Sequence, residues 1–142
     1  MDHLITKQIQ DHWTKAQAQN HRFLLTIFGE DRGTLCGHLF HPHSSLSKLL
    51  PIGDIITIGA KSSGHVFHEL WPSHQHIDLS WSVSKVRLGG TESALLIDLS
   101  EGCDPNALGA CLGSISGRGL VVILAPLNFH FQETIRVYLC NL

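Results

Sequence analysis

Four short stretches of this chain are apolar at nearly every position rather than at every second one. They are Phe23-Leu24-Leu25-Thr26-Ile27-Phe28, Ile55-Ile56-Thr57-Ile58 within Asp54 to Gly59, Ala94-Leu95-Leu96-Ile97-Asp98-Leu99, and Leu120-Val121-Val122-Ile123-Leu124. A strand sends alternate side chains to opposite faces, so a run of this kind is apolar on both faces and needs cover on both. Phe23 to Phe28 reads as a strand from the middle of such a sheet.

Helical segments separate these runs. Leu4, Ile5, Ile9, Trp13 and Ala16 fall at helical spacing, which predicts a helix over Leu4 to Ala18 with Asp2 as its cap. Thr34 to Leu50 carries five leucines, and Pro42 breaks or kinks any helix there. Its second half, Ser44 to Leu50, reads as helical. Asp104-Pro105 is a helix start, with Asp as N-cap and Pro where its missing N–H costs nothing. Gly117-Arg118-Gly119 reads as the stop of that helix. Ile77, Leu79 and Trp81 alternate with polar residues and predict a short strand. Ser82 to Leu88 reads as a short helix, Ala60 to His76 as mostly loop, and Phe131 to Leu142 as a helix. The expected fold is a three-layer α/β domain over residues 1–142, a mainly parallel open sheet with helices on both faces.

Composition narrows the function. The chain has 142 residues, enough for a core without staples, and a formal net charge of -2. That balance removes the simplest electrostatic case for stand-alone nucleic-acid binding. The ten Lys and Arg are spread over the chain without a cluster; Lys7 and Lys15 share the first helix, and Lys85 and Arg87 are close in sequence. Charged residues are 15%, low for a surface facing only water, which points to cover by a partner. Four cysteines without a Cys-x-x-Cys, and no apolar leader, predict reduced thiols in the cytoplasm. The longest apolar run is far short of the roughly 20 residues of a membrane helix.

No phosphate-binding motif is present. Gly113 to Gly119 is glycine-rich but follows a helix and precedes a strand, the reverse of the order those motifs need. Gly29-Glu30-Asp31-Arg32-Gly33 does follow a strand, yet its two carboxylates repel phosphate. Cys36, His38, His41 and His43 have the donor types of a zinc site, with His65, His68, His74 and His76 as further candidates. Without a paired Cys-x-x-Cys they read instead as surface histidines on a loop-rich segment. Cys103 stands among Asp98, Glu101 and Asp104, which disfavour its thiolate and so a nucleophilic role. Trp71 and Trp81 read as core or interface residues before they read as base-stacking ones.

The segment Leu95-Leu96-Ile97-Asp98-Leu99-Ser100-Glu101-Gly102-Cys103-Asp104-Pro105-Asn106-Ala107-Leu108-Gly109-Ala110, followed by Gly117-Arg118-Gly119 and Leu120 to Pro126, resembles the N-terminal domain of the tRNA(Met) cytidine acetyltransferases and their eukaryotic RNA cytidine acetyltransferase relatives. Two positions depart from that pattern. Cys103 stands where an aromatic is usual, and Arg118 interrupts a double glycine. The resemblance implies a domain that is non-catalytic by itself. ATP and acetyl-CoA would belong to ATPase and acetyltransferase modules outside this chain, and no catalytic residue carries over. The implied partners are such a module and, weakly, tRNA, with no membrane.

Ligands of open parallel sheets bind at the carboxyl ends of the strands. The loops expected there are Gly29 to Arg32, Gly59 to Ser62 and Ser100 to Asp104. They make Arg32, Lys61, Asp98, Glu101 and Asp104 the candidate ligand- or RNA-facing residues. The competing readings are a stand-alone metal or small-ligand protein using the histidine-rich segment 36–76, and a purely structural interaction domain.

Overall fold

The computed structural model describes residues 3–41, 43–49, 54–59, 76–79, 92–99, 102 and 104–126. The chain opens with helix α1 (His3–Ala18), strand β1 (Phe23–Phe28) and helix α2 (Arg32–Leu39). A 3-10 helix (Ser45–Leu49) leads toward β2 (Ile55–Ile58). Then come β3 (His76–Leu79), β4 (Glu92–Asp98), α3 (Pro105–Ser114) and β5 (Ile115–Ala125). The five strands form one sheet in the order β1-β5-β4-β2-β3, every pair parallel.

The apolar runs work as their pattern demands. On one face Ile27, Ile55, Ala94, Leu96, Leu120, Val122 and Leu124 pack with Trp13, Cys36, Leu39, Phe40 and Leu46 from α1, α2 and the 3-10 helix. On the other, Ile56, Ile58, Leu95, Ile97, Val121 and Ile123 pack with Leu108, Cys111 and Leu112 of α3. The alternation along β4 and β5 assigns each side chain to one of two cores, which makes a three-layer α/β fold. Trp13 anchors the first core. It is fully buried, stacked on Phe23 at 5.9 Å between ring centroids and edge-on to Phe40 at 6.2 Å. Aromatic pairs at such distances add about 0.5–1.5 kcal/mol beyond the area they bury.

The structure corrects two of the expectations. β1 lies at the edge of the sheet, not in its middle. Its residues are mostly half-buried where those of β2, β4 and the second half of β5 are buried, and Phe28 is 46% exposed. An edge strand with α1 and α2 over one face still buries enough to hold an apolar run. Gly117-Arg118-Gly119 does not stop α3, which ends at Ser114; it lies inside β5. Here Glu92 pairs with Ile115 and Ala94 with Leu120, so β5 carries a bulge of extra residues that absorbs the glycines. The helical segment expected over Ser44 to Leu50 is present as the 3-10 helix Ser45–Leu49. Asp2 and the segments Ser82 to Leu88, Phe131 to Leu142 and most of Ala60 to His76 lie outside the described residues, as do Trp71 and Trp81.

Candidate functional site

A parallel sheet has two chemically distinct edges, because all strands begin at one and end at the other. The carboxyl edge contains a point where the chain changes direction. From β2 the next strand lies on one side, at β3, and from β4 the next lies on the other, at β5. The chain order therefore reverses between the neighbouring ends of β2 and β4, the usual ligand position of such sheets. Gly59 closes β2 at φ 108°, and a Cβ there would overlap the Asp98 carbonyl oxygen, so the two backbones touch at the crevice floor. Any side chain at 59 would push β2 away from β4.

Of the candidate residues, the structure brings Arg32 and Asp98 together. Arg32 opens α2, and Asp98 ends β4 on the face that α2 covers. The Arg32 Nη2 stands 3.7 Å from Asp98 Oδ1, with the two side chains 17% and 4% exposed. Arg32 Nη1 donates to the Gly29 carbonyl at 2.9 Å, which fixes the turn between β1 and α2. The cation of this edge is thus engaged by protein groups on two sides. Asp104 is also engaged: its Oδ1 accepts from the backbone N–H groups of Asn106 at 3.0 Å and Ala107 at 3.2 Å, capping α3. Glu30 and Asp31 are exposed beside Arg32. Lys61 and Glu101 lie outside the described residues. The described part of the edge is therefore predominantly acidic.

The candidate zinc ligands separate. Cys36 is fully buried in the core under α2, and burial pushes its thiol up to about 12. A thiol so placed stays protonated through neutral pH, the form least suited to metal. His38, His41 and His43 are exposed, with the His41 and His43 rings 5.1 Å apart and His41 Nδ1 accepting from the His43 backbone N–H. Among the described residues no group of three or more His, Cys, Asp or Glu is arranged to hold a metal ion. His65, His68 and His74 lie outside those residues, and His76 opens β3.

What the sequence pattern did not reveal is the other edge. At the amino end of the strands, α1 finishes, β1 begins and the β5 bulge sits between them. Arg118 donates its backbone N–H to the His21 carbonyl at 3.1 Å, and Gln17 Nε2 donates to the carbonyls of Arg118 and Leu49. Arg22 Nε donates to the Ile115 carbonyl at 2.8 Å. These bonds gather Lys15, His21, Arg22, Lys48 and Arg118 from four separate segments. Only the chain topology could have announced this, since the residues are up to a hundred positions apart.

Comparison with known proteins places the chain. Residues 1–134 match the family described as tRNA(Met) cytidine acetyltransferase TmcA, N-terminal. The tRNA(Met) cytidine acetyltransferase TmcA of Thermofilum pendens is 28% identical over 156 aligned residues, covering 100% of this chain and 18% of the relative. The chain thus spans less than a fifth of the length of the curated relative it matches. Among the described residues no helix is long and apolar enough to cross a membrane.

Proposed function

Because the chain belongs to the N-terminal domain family of the tRNA(Met) cytidine acetyltransferases, we propose that it acts in the cytoplasm as a non-catalytic domain in tRNA cytidine acetylation. It docks against an ATPase and acetyltransferase module and adds a weak contact to RNA. ATP and acetyl-CoA belong to that module, and this chain itself holds no cofactor. The observation that carries the reading is the alignment itself. A protein named for the acetylation of tRNA(Met) cytidine matches all of this chain through 18% of its own length.

The carboxyl edge suits docking. Arg32, Asp98 and Asp104 are held there by ion pairing and capping, and that rigidity favours a fixed protein contact over a mobile catalytic one.

The test mixes the chain with the ATPase and acetyltransferase portion of a relative lacking its N-terminal domain. Co-elution, and faster acetylation of a tRNA transcript than that portion achieves alone, are the expected results. Failure to co-elute, or micromolar ATP binding by the isolated chain in calorimetry, defeats the proposal.

A further inference from the structure

The amino edge of the sheet concentrates positively charged side chains that form no ion pair among the described residues. Lys15 is exposed in the last turn of α1, Lys48 is exposed in the 3-10 helix, and Arg118 is exposed on the β5 bulge. His21 and Arg22 join α1 to β1 in the same place. Gln17 fastens the three elements together through the carbonyls of Leu49 and Arg118. The cations therefore sit on a braced backbone rather than on independent loops.

Among the described residues the nearby carboxylates are fewer than the cations. Glu92 is buried at the start of β4 and Asp54 is half-buried, while Asp11, exposed one turn before Lys15 on α1, offsets that lysine in part. Among the described residues none of Lys15, Lys48 and Arg118 forms an ion pair. Helix α1 ends here with its carbonyl pole, which attracts cations. Lys15 stands in that last turn and Arg22 is held by the Ile115 carbonyl, which leaves Lys48 and Arg118 as the cations without such a role.

Arg118 supplies a second, independent sign. Its φ is 71°, in the left-handed region that non-glycine residues occupy at a cost. Glycine stands on both sides of it, yet the strained position itself carries an arginine, exposed to solvent. The bulge leaves that side chain exposed while its backbone bonds to the His21 carbonyl and to Gln17, as bulges commonly re-aim a residue.

We propose that this amino edge, built from Lys15, Lys48 and Arg118 with His21 and Arg22, binds the phosphate backbone of RNA. The inference rests on the RNA-contact half of the function proposed above and moves that contact to the end of the sheet opposite the Arg32 crevice. A few separated cations on a fixed surface match successive phosphates of a nucleic-acid strand. Without base-reading groups beside them, the contact is electrostatic and weakly sequence-dependent.

The test measures binding of the full chain to a labelled tRNA transcript across a salt series. The combined variant Lys15→Ala, Lys48→Ala and Arg118→Gly should weaken binding at least about tenfold at low salt. It should also flatten the plot of log affinity against log salt by roughly 2, since each phosphate contact contributes about 0.7–0.9. Lys15→Arg with Lys48→Arg should retain wild-type binding. Lys7→Ala, about two turns away on α1, should stay within about twofold, because screening confines the effect to roughly 8–10 Å. A thermal melt of each variant separates lost binding from lost folding. RNA binding that survives the combined variant, or that fails instead in Arg32→Ala, overturns this surface while leaving an RNA contact standing. No binding by the wild-type chain at low salt overturns both. Equal competition by polyglutamate and by unlabelled tRNA assigns the edge to an acidic protein and overturns the RNA assignment.

Discussion

The two edges of the sheet solve the same backbone problem in different ways. At the carboxyl edge the left-handed positions after β1, β2 and β4 are all glycine: Gly29, Gly59 and Gly102. At the amino edge they are Asn20 and Arg118. Glycine gives a tight turn with no side chain to place, so strand ends can approach one another, as Gly59 and Asp98 do. Asn20 and Arg118 keep side chains where glycine would be easier. The balance of charge differs as well. Glu30, Asp31, Asp98 and Asp104 outnumber Arg32 at the carboxyl edge, while at the amino edge Lys15, Arg22, Lys48 and Arg118 outnumber Asp11, Asp54 and the buried Glu92 among the described residues. One edge is organised for close packing and a shaped crevice, the other for presenting side chains to something outside.

The sharpest way to break this contrast is at Gly59. Gly59→Ala puts a Cβ against the Asp98 carbonyl oxygen and asks alanine to hold φ 108°. Strain at such a φ costs about 1–3 kcal/mol, and the overlap is with backbone that cannot rotate away. The expected loss is about 3 kcal/mol or more, read as a lower urea midpoint at unchanged slope. A loss under about 1 kcal/mol would mean that β2 and β4 are not in contact at the crevice floor.

A smaller effect is expected at Asp104. Asp104→Ala removes the acceptor for the Asn106 and Ala107 N–H groups, at a cost of about 1 kcal/mol, while Asp104→Asn retains most of it. If both variants lose equally, the carboxylate charge matters at this edge and the capping account is insufficient.

How much of this could be read beforehand follows from how far apart the interacting residues are. The parallel sheet and the α3 cap were legible because each depends on neighbours in sequence: a run apolar on both faces, and Asp104 directly before Pro105. The edge position of β1 was not, because Phe23, Leu25 and Ile27 pack in the core under α1 and α2, Leu24 packs in the opposite core and Phe28 stays exposed, none of which needs a strand on each side. The Gly117 to Gly119 turn misled for a related reason. Glycines between a helix and a strand usually stop the helix, but here Ser114 ends it and the bulge against Glu92 absorbs them. The Arg32–Asp98 pair joins two candidates that sequence reading placed on the same edge but could not pair. The basic edge was invisible altogether. Its residues look scattered along the chain and become neighbours only when parallel topology brings the end of α1, the start of β1 and the start of β5 together.

The smallest expected effect on stability is at Arg118, and it has the opposite sign. Arg118→Gly removes the penalty of a left-handed arginine, about 1–2 kcal/mol, and gives part of that back by loosening the unfolded chain. The net expectation is a gain of about 0.5 kcal/mol in the same urea titration. Its side chain is exposed and makes no ion pair among the described residues, so nothing in the folded state offsets this gain. The value of the measurement lies in pairing it with RNA binding. If the amino edge presents side chains to RNA, this one substitution makes the chain more stable and its affinity for tRNA about threefold weaker. Stability and affinity would then move in opposite directions, as they do where a strained residue is kept for binding. A variant that is less stable, with RNA binding unchanged, would instead show that Arg118 serves the bulge itself, and the contrast between the two edges would reduce to a difference in turn geometry.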